Sequence, residues 1–568
     1  MRPVAPIVMV LAVTAVVSAA QQQPLPRRDG QQPTAQGRAL IRGRVIQLDT
    51  GRPLRRVQVT ARSADDRQPP RSTVTDNDGR YELATLLAGR YQLSASRGGY
   101  VTIEHGQRRP LEAGRPLVLA DGQTIENVNF SLPRGSVIVG RVVDDFNEPF
   151  TGATVQIHRY RYVNGQRQLT LAATASPTND LGQFRAFGLL PGDYYVSAAP
   201  PGDVASALSA LASRGGGGIG NVLATAAAPP GYVRTYYPDT PFPTSAQPVT
   251  VALGQESPLL TLALVASRTA KVAGVVLGAD GNPPANATVV VHPKGADPNN
   301  TTGMASTAMA QRGVFSVSGL VSGEYTIEAL IIEPQARPPL ITHGSVDVFL
   351  GDADMTDIVV AVRPGVTARG RIAFEGGPPK GLLPNQVQLG AVSAVPSMAS
   401  VGRRVRDDWS FELTGLKGRQ TLRASARPPW FLKSITRGGV DITDTAIDFA
   451  DNIDNVEVMF TQRVTEVTGS VSDRRGTPIR DYVVLVFAED RSSRGPQTRF
   501  TQTARPDQDG RYGIRGLPPG RYLAVALDYL EQGEETDRNR LESLEGSAVR
   551  MELREGETRA LDLRVSEF

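Results

Sequence analysis

The chain has 568 residues, 40% of them hydrophobic, and this is too long for a single hydrophobic core. Glycine (57) and proline (42) are abundant, which favours many short strands joined by turns. The 61 Lys and Arg nearly balance the 57 Asp and Glu, and the net charge is +4 without a concentrated basic stripe. This pattern predicts no nucleic-acid partner. The absence of cysteine excludes disulfides and a thiol nucleophile.

The first residues predict export. Arg2 precedes an apolar run at 4–17, and the small residues of 18–20 follow. A short charged segment, an apolar segment and a small-residue cleavage site are typical of a signal peptide, here residues 1–20. Residues 21–38 are rich in Gln, Pro and Arg and predict a flexible leader. No later segment approaches 18 apolar residues, so we expect no transmembrane span in the mature chain and a secreted or periplasmic bacterial protein.

A pattern then recurs five times along the chain. Each copy begins with a glycine and a short apolar strand, has a turn and an aromatic residue roughly forty residues later, and a leucine five residues beyond the aromatic. In four copies a glycine and a tyrosine follow, whereas the fourth copy has Arg419 and Thr421 there. The recurring positions are Gly43, Gly140, Gly274, Gly370 and Gly469; Tyr81, Phe184, Phe315, Phe411 and Tyr512; Leu86, Leu189, Leu320, Leu416 and Leu517; and Gly89–Tyr91, Gly192–Tyr194, Gly323–Tyr325 and Gly520–Tyr522.

The spacing within one copy predicts an antiparallel β-sandwich. Val57, Val59 and Ala61 alternate with polar residues, which is the period of a half-buried strand. Short strands with turns every 8–12 residues over about 100 residues are typical of Ig-like sandwiches. We therefore predict an all-β tandem array of five sandwiches, arranged as a rod or a bent chain. The predicted domains are residues 39–134, 135–267 with an inserted loop at 201–248, 268–365, 366–465 and 466–568.

These residues resemble a known family. Gly-x-Val, then Gly-x-Pro at 51–53, then Asp-x-x-Gly-x-Tyr and Leu-x-x-Gly-x-Tyr resemble the carboxypeptidase regulatory-like domain. The resemblance implies a transthyretin-like (prealbumin-type) sandwich, a fold also classed with carbohydrate-binding folds. It extends over nearly all of residues 39–568, although the second and fourth copies match only in part. Such a signature is specific for the fold and implies little about activity.

No catalytic motif accompanies the repeats. The four histidines, His105, His158, His292 and His343, have no acidic residue three positions on, so the zinc motif of a carboxypeptidase is missing. There is no Gly-x-Ser-x-Gly elbow. We therefore predict a protein that is not an enzyme and has no cofactor.

Two further kinds of site, a calcium site and an isopeptide cross-link, have some of their residues in the sequence. The Asp doublets at 76–79 and 507–510 each supply two carboxylates, too few for calcium, and favour simple Asx turns over a metal site. Lys271, Glu328 and Asp357 of the third copy suggest an isopeptide cross-link, but the other copies lack the lysine. We predict neither site.

Aromatic residues in irregular segments are the best candidates for ligand binding, because sugar rings stack on flat aromatic faces. These are Tyr232, Tyr236 and Tyr237 in the inserted loop, Trp409 at a turn where other copies have glycine, and Trp430. The alternative is that these rings fill the cores.

The function predicted first is non-catalytic binding of carbohydrate or another cell-envelope polymer. The alternatives are a structural scaffold or adhesion stalk, and an accessory subunit of an envelope protein, both of which act through protein contacts.

Overall fold

A computed structural model describes residues 37–63, 69–109, 111–163, 166–201, 232–266, 269–294, 306–333, 340–377, 379, 381–393, 402–495 and 498–566. The predicted signal peptide and almost all of the predicted leader lie outside these ranges, as does most of the inserted loop. Strands dominate the described chain, and the predicted all-β fold is confirmed. No helix in the described ranges is long and apolar enough to cross a membrane.

Five clusters of buried apolar side chains follow one another along the chain. They extend over residues 39–132, 138–264, 270–362, 368–460 and 467–563. Each cluster lies inside one of the five domains predicted above, and we propose those boundaries for what we call the first to fifth sandwiches.

The first two sandwiches contain seventeen strands between them. The first consists of β1 (Ala39–Gln47), β2 (Gln58–Ser63), β3 (Arg71–Val74), β4 (Arg80–Leu86), β5 (Gly89–Ser96), β6 (Ile103–Glu104), β7 (Leu117–Leu119), β8 (Thr124–Ile125) and β9 (Phe130–Leu132). The second consists of β10 (Ser136–Val143), β11 (Thr154–Val163), β12 (Gln166–Thr174), β13 (Gln183–Leu189), β14 (Gly192–Ala199), β15 (Thr235–Tyr236), β16 (Val249–Val251) and β17 (Leu260–Ala263).

The third sandwich has eight strands in the described ranges, and the fourth has nine. The third consists of β18 (Ala270–Leu277), β19 (Asn286–Pro293), β20 (Ser306–Gln311), β21 (Val314–Leu320), β22 (Gly323–Glu333), β23 (Leu340–Leu350), β24 (Met355–Ala361) and β25 (Arg363–Pro364). The fourth consists of β26 (Val366–Phe374), β27 (Gln388–Ser393), β28 (Gly402–Val405), β29 (Ser410–Leu416), β30 (Gly418–Ser425), β31 (Phe431–Arg437), β32 (Val440–Asp441), β33 (Ile447–Phe449) and β34 (Ile453–Thr461).

The fifth sandwich adds an α-helix, which the sequence analysis did not predict. Its strands are β35 (Glu466–Ser472), β36 (Pro478–Ile479), β37 (Val483–Ala488), β38 (Thr501–Ala504), β39 (Arg511–Arg515), β40 (Gly520–Leu527), β41 (Val549–Leu553), β42 (Thr558–Ala560) and β43 (Leu563–Ser566). The helix is α1 (Arg538–Leu544), and one-turn 3₁₀ helices occupy Pro243–Ser245, Pro384–Gln386, Arg491–Ser493, Glu534–Thr536 and Glu545–Ser547.

Helix α1 covers the outer face of one sheet. The Asp537 side chain accepts a hydrogen bond from the backbone N–H of Asn539, which caps the first turn. Leu541 and Leu544, three positions apart on one side of the helix, pack against a second apolar cluster formed by β37 and β40. These two strands are therefore buried on both faces, which explains why β37 is apolar at every position.

All five sandwiches pair their first strand in the same way. It pairs antiparallel with the strand that starts at the aromatic turn and parallel with a strand near the end of the same domain. In the first sandwich, for example, Gly43 pairs with Tyr81 and Val45 with Phe130. The equivalent pairs are β10 with β13 and β17, β18 with β21 and β24, β26 with β29 and β34, and β35 with β39, β42 and β43.

This double pairing explains the repeated glycine. A Cβ at Gly43 would lie 1.9 Å from the carbonyl oxygen of Val128 and 2.9 Å from the Tyr81 ring. A Cβ at Gly370 would lie 1.8 Å from the carbonyl oxygen of Val456. The backbone at the start of the parallel partner strand, or just before it, and the ring of the aromatic turn both occupy the space that a side chain would need, so only glycine fits.

The repeated Gly-x-Tyr has an equally local role. The Tyr91 hydroxyl donates to the carbonyl oxygen of Leu87, four residues earlier, at 2.8 Å. The same bond recurs from Tyr194, Tyr325 and Tyr522. Each ring is therefore buried while its hydroxyl satisfies the turn that carries the repeated leucine, much like the tyrosine corner of other sandwiches.

The first and fifth sandwiches contact each other directly. Arg505 is 4% exposed and forms ion pairs with Glu112 of the first sandwich, 3% exposed, and with Asp481 of its own sandwich at 2.9 Å. Arg109 also donates to Asp528, with both terminal nitrogens at 3.1 Å.

Candidate functional site

Two of the five predicted aromatic ligand residues are buried. Tyr236 is 2% exposed, and its ring lies 5.7 Å from the ring of His158. Trp430 is 8% exposed and packs edge-on against Phe374, with ring centroids 4.9 Å apart. Trp430 belongs to the apolar core of the fourth sandwich, which is the alternative that the sequence left open, whereas Tyr236 is buried against His158 and outside the apolar cluster of the second sandwich.

The other three aromatic residues are half-buried. Tyr232 packs edge-on against Phe150 at 5.3 Å, and its hydroxyl donates to Asp145. Tyr237 packs against the second core. Trp409 has a positive φ of 65°, as the turn glycines do, and its ring lies 4.7 Å from that of Phe374. The three tyrosines thus belong to the second sandwich and the two tryptophans to the fourth, and a role in sugar binding stays a prediction.

The Asp doublets form turns. The Asp76 carboxylate accepts hydrogen bonds from the backbone N–H groups of Asp78 at 2.9 Å and Arg80 at 2.8 Å. Asp507 does the same for Asp509 and Arg511. Within the described ranges, no three His, Asp or Glu side chains are grouped so as to hold a metal ion.

A buried charged cluster links the third and fourth sandwiches. Glu328 is 5% exposed and lies 3.4 Å from Nε2 of His343 and 3.8 Å from Nε2 of His292. Lys417 of the fourth sandwich places its Nζ 2.7 Å from the His343 ring nitrogens, and burial lowers its pKa to about 8. Lys271 is 41% exposed and its Nζ lies 3.8 Å from Asp354, whereas Glu328 is buried beside the two histidines, so the lysine and the glutamate of an isopeptide cross-link are not brought together.

A cavity of about 220 Å³ opens beside the β11–β12 hairpin of the second sandwich. One wall comes from the start of β14, and one residue comes from the loop after β40 of the fifth sandwich. The lining residues are Arg159, Tyr160, Arg161, Tyr162, Arg167, Gly192, Asp193, Tyr195 and Glu531. We call this the hairpin cavity.

The hairpin cavity combines guanidinium groups with aromatic rings. The Arg159 guanidinium lies 5.5 Å over the Tyr194 ring, and Arg167 lies 4.6 Å over Tyr160. Tyr160 meets Tyr195 edge to face at 5.1 Å. Such a surface has the chemistry to hold an anionic group beside a flat one.

The fifth sandwich contributes one carboxylate, that of Glu531, to the hairpin cavity, and the surroundings of Glu531 shift its pKa. Burial raises the pKa of Glu531, while the charges of Arg159, Arg161 and Arg167 act in the opposite direction. This cavity was not expected from the sequence. The signal that was available is the alternation Arg-Tyr-Arg-Tyr at 159–162, which carries basic and aromatic side chains into one hairpin.

One family model matches this chain. Residues 40–133 match the carboxypeptidase regulatory-like domain. The resemblance seen in the sequence is thereby confirmed for the first sandwich. No curated protein sequence matches the chain. We propose that the other four sandwiches are divergent copies of the same domain, because they repeat its glycines, aromatic residues and strand order.

Similar solved structures include the Bacillus anthracis TIE protein and two pilins. The Bacillus anthracis TIE protein is 10% identical over 90% of this chain and 68% of that one, with a TM-score of 0.13. A streptococcal ancillary pilin is 14% identical over 57% and 99%, with a TM-score of 0.18. The minor pilin GBS52 of Streptococcus agalactiae is 12% identical over 40% and 96%, with a TM-score of 0.21. Scores this low do not establish a common arrangement and carry no functional argument.

Proposed function

We propose that this protein is an exported, non-catalytic scaffold whose sandwiches present surfaces to other proteins of the cell envelope. The observation that carries the proposal is the buried contact between the first and fifth sandwiches. Domains that are connected only by flexible linkers do not require such a contact. A scaffold does require it, because bound proteins are held in fixed positions only if the domains that bind them are fixed.

The contact is specific in its geometry. The Gln508 side chain donates to the carbonyl oxygen of Val118 and accepts from its N–H, both at 3.1 Å, as a neighbouring strand would. Arg115 donates to the carbonyl oxygen of Asp507 at 2.8 Å. Together with the buried Arg505–Glu112 pair, these bonds fix one register between the two domains.

Neighbouring sandwiches are also held by charged contacts. Arg499 of the fifth sandwich forms two hydrogen bonds with Asp444 of the fourth, at 3.1 and 2.7 Å, and donates to the carbonyl oxygen of Leu432. Lys433 of the fourth sandwich pairs with Glu555 of the fifth at 2.6 Å. Bidentate arginine pairs of this kind restrict rotation between domains more than a flexible linker does.

The test is site-specific photo-crosslinking in cells that export the full chain. The cross-linking residue replaces Phe146 in one experiment and Phe349 in another, because both side chains are well exposed. We expect a reproducible adduct with one envelope protein. It should be lost when Glu112→Lys places a positive charge against Arg505 and kept in the control Glu82→Lys, an exposed site on the same sandwich.

The result that contradicts the proposal is equally definite. If neither position yields a protein adduct, or if Glu112→Lys leaves the adduct unchanged, the fixed arrangement does not serve protein partners. Retention of the chain on washed polysaccharide would then favour the second candidate function, carbohydrate binding. That candidate is favoured by one specific observation, the arginine- and tyrosine-lined hairpin cavity.

A further inference from the structure

We propose that the hairpin cavity binds a carboxylate-bearing sugar residue of an acidic polysaccharide. Arg159 would contact the carboxylate, and Tyr160 and Tyr195 would face the sugar ring. The inference rests on the second candidate function, carbohydrate binding, and is independent of the scaffold role.

Arg159 carries the first part of the argument. Its Nη1 is buried and has no hydrogen-bond partner among the described residues. Leaving a buried donor unpaired is destabilising, and more so when the group is charged, so a partner for this group is expected. A carboxylate supplies two acceptor oxygens in the plane of the guanidinium, which is the geometry that arginine matches best.

Gly192 makes room for this side chain. A Cβ at Gly192 would lie 2.8 Å from Nη2 of Arg159, so any larger residue would displace the guanidinium. Gly192 also has a positive φ of 134°, which other residues rarely adopt. The repeated glycine of this copy thus has a second consequence, because it allows an arginine to lie across the start of β14.

The charge around the cavity favours an anion. Arg161 and Arg167 are exposed, and neither forms an ion pair within the described part of the chain. Of the two carboxylates, Asp193 already accepts a hydrogen bond from the Thr250 hydroxyl at 2.6 Å. Glu531 is half-buried, with its pKa raised by that burial. Three guanidinium groups therefore outnumber the two carboxylates that line the cavity, while Glu534 and Asp537 lie beside it and act on Glu531 and Tyr162.

Size and shape favour a sugar over an acidic peptide. A volume of about 220 Å³ is below the roughly 300–1,000 Å³ of pockets for drug-sized ligands and suits a single ring. The Tyr160 and Tyr195 rings meet at 87°, so they form a corner of two aromatic surfaces. The C–H faces of a pyranose pack on such surfaces, whereas an Asp or Glu side chain has no comparable face.

The test is calorimetric titration of the full chain with trigalacturonate, with galactotriose as the uncharged comparison. We expect saturable binding of trigalacturonate alone, weakened by added salt. Arg159→Gln should weaken it at least about tenfold, which is about 1.4 kcal/mol. Arg141→Gln, an exposed arginine of the same sandwich, removes the same charge and should change the affinity less than about twofold.

A second variant guards against misfolding of the first. Arg161→Gln alters only an exposed side chain and should weaken binding about threefold, and circular dichroism establishes that each variant is folded. Equal affinity of the native chain and Arg159→Gln would overturn the proposal. Equal binding of trigalacturonate and galactotriose would overturn the carboxylate assignment and leave carbohydrate binding standing, whereas binding of neither would overturn both. Tighter binding of polyglutamate would identify an acidic-peptide site instead.

Discussion

His158 makes the stability of the second sandwich sensitive to acid. Its imidazole is fully buried, and Nε2 lies 2.8 Å from the Ser197 hydroxyl oxygen. The Arg234 guanidinium donates to the same hydroxyl at 3.2 Å. Burial, and then the charge of Arg234, lower the pKa of His158 to about 3. The folded sandwich therefore keeps a neutral imidazole well below the pH at which an exposed histidine becomes charged.

The sign of the effect follows from proton uptake. In the unfolded chain His158 has an ordinary pKa of about 6.5 and binds a proton as the pH falls, while in the folded chain it does not. Stability is thus fully present above about pH 6.5 and is lost progressively toward about pH 3. With about 1.36 kcal/mol per pKa unit, the loss from this group is about 1.4 kcal/mol at pH 5.5 and about 2.7 kcal/mol at pH 4.5.

The assay is native-state hydrogen exchange of the full chain, measured on peptides from β14 in increasing denaturant. The variant His158→Gln keeps a hydrogen-bonding group but cannot take up a proton. We expect the stability difference between the native chain and the variant to shift by about 2.7 kcal/mol from pH 7.5 to 4.5 in favour of the variant. His343→Gln in the third sandwich is the matched control and should leave the pH dependence of β14 unchanged.

An equal loss of stability in the native chain and in His158→Gln as the pH falls would refute this prediction. A shift below about 0.5 kcal/mol across this pH range would mean that His158 is protonated in the folded sandwich or that the site opens to water. An equal effect of His343→Gln would show that the exchange of β14 reports on the whole array rather than on its own domain.

Three other predictions follow from contacts described above. Trp409→Gly should be more stable than Trp409→Ala by about 1 kcal/mol, because φ is positive at this position. Both variants should unfold more easily than the native chain because the contact with Phe374 is lost. Thermal unfolding measures this order, and a higher unfolding temperature for the Ala variant than for the Gly variant would contradict it. Glu112→Gln removes the more buried of the two carboxylates that pair with Arg505, leaving Asp481, and should cost about 3 kcal/mol at this contact. Faster hydrogen exchange at 505–509 tests this, and unchanged exchange would contradict it. Because burial lowers the pKa of Lys417, its charge destabilises the folded chain below about pH 8 and does so progressively less as the pH rises toward 10.5. The denaturant midpoint of Lys417→Met should therefore exceed that of the native chain by the largest amount below pH 8. A difference between the two midpoints that grows with pH would refute this.

The repeated residues determined the fold of each sandwich from the sequence alone. A glycine at Gly43 or Gly370 is needed because the backbone at or just before the parallel partner strand lies within 2 Å of where a Cβ would stand. Tyr91 closes a turn only four residues long. These requirements are local or recur with fixed spacing, so they are visible as a sequence pattern.

The exposure of single aromatic residues was decided only by packing. Tyr236 and Trp430 lie in segments rich in proline and turns, where sequence patterns predict surface loops. Both rings are nevertheless buried, Trp430 in the apolar core of the fourth sandwich and Tyr236 against His158. Close packing fills interior space with whatever side chains reach it. The same pattern of residues is compatible with an exposed ring, so only the tertiary structure distinguishes the two cases.

The contact between terminal domains and the hairpin cavity were likewise beyond the sequence. Arg505 and Glu112 are 393 residues apart, and nothing near either residue indicates its partner. The hairpin cavity is formed by β11, β12, β14 and Glu531 of another sandwich. Short-range patterns determine strands and turns because those depend on neighbours in the chain, whereas buried ion pairs and cavities depend on which surfaces the folded domains bring together.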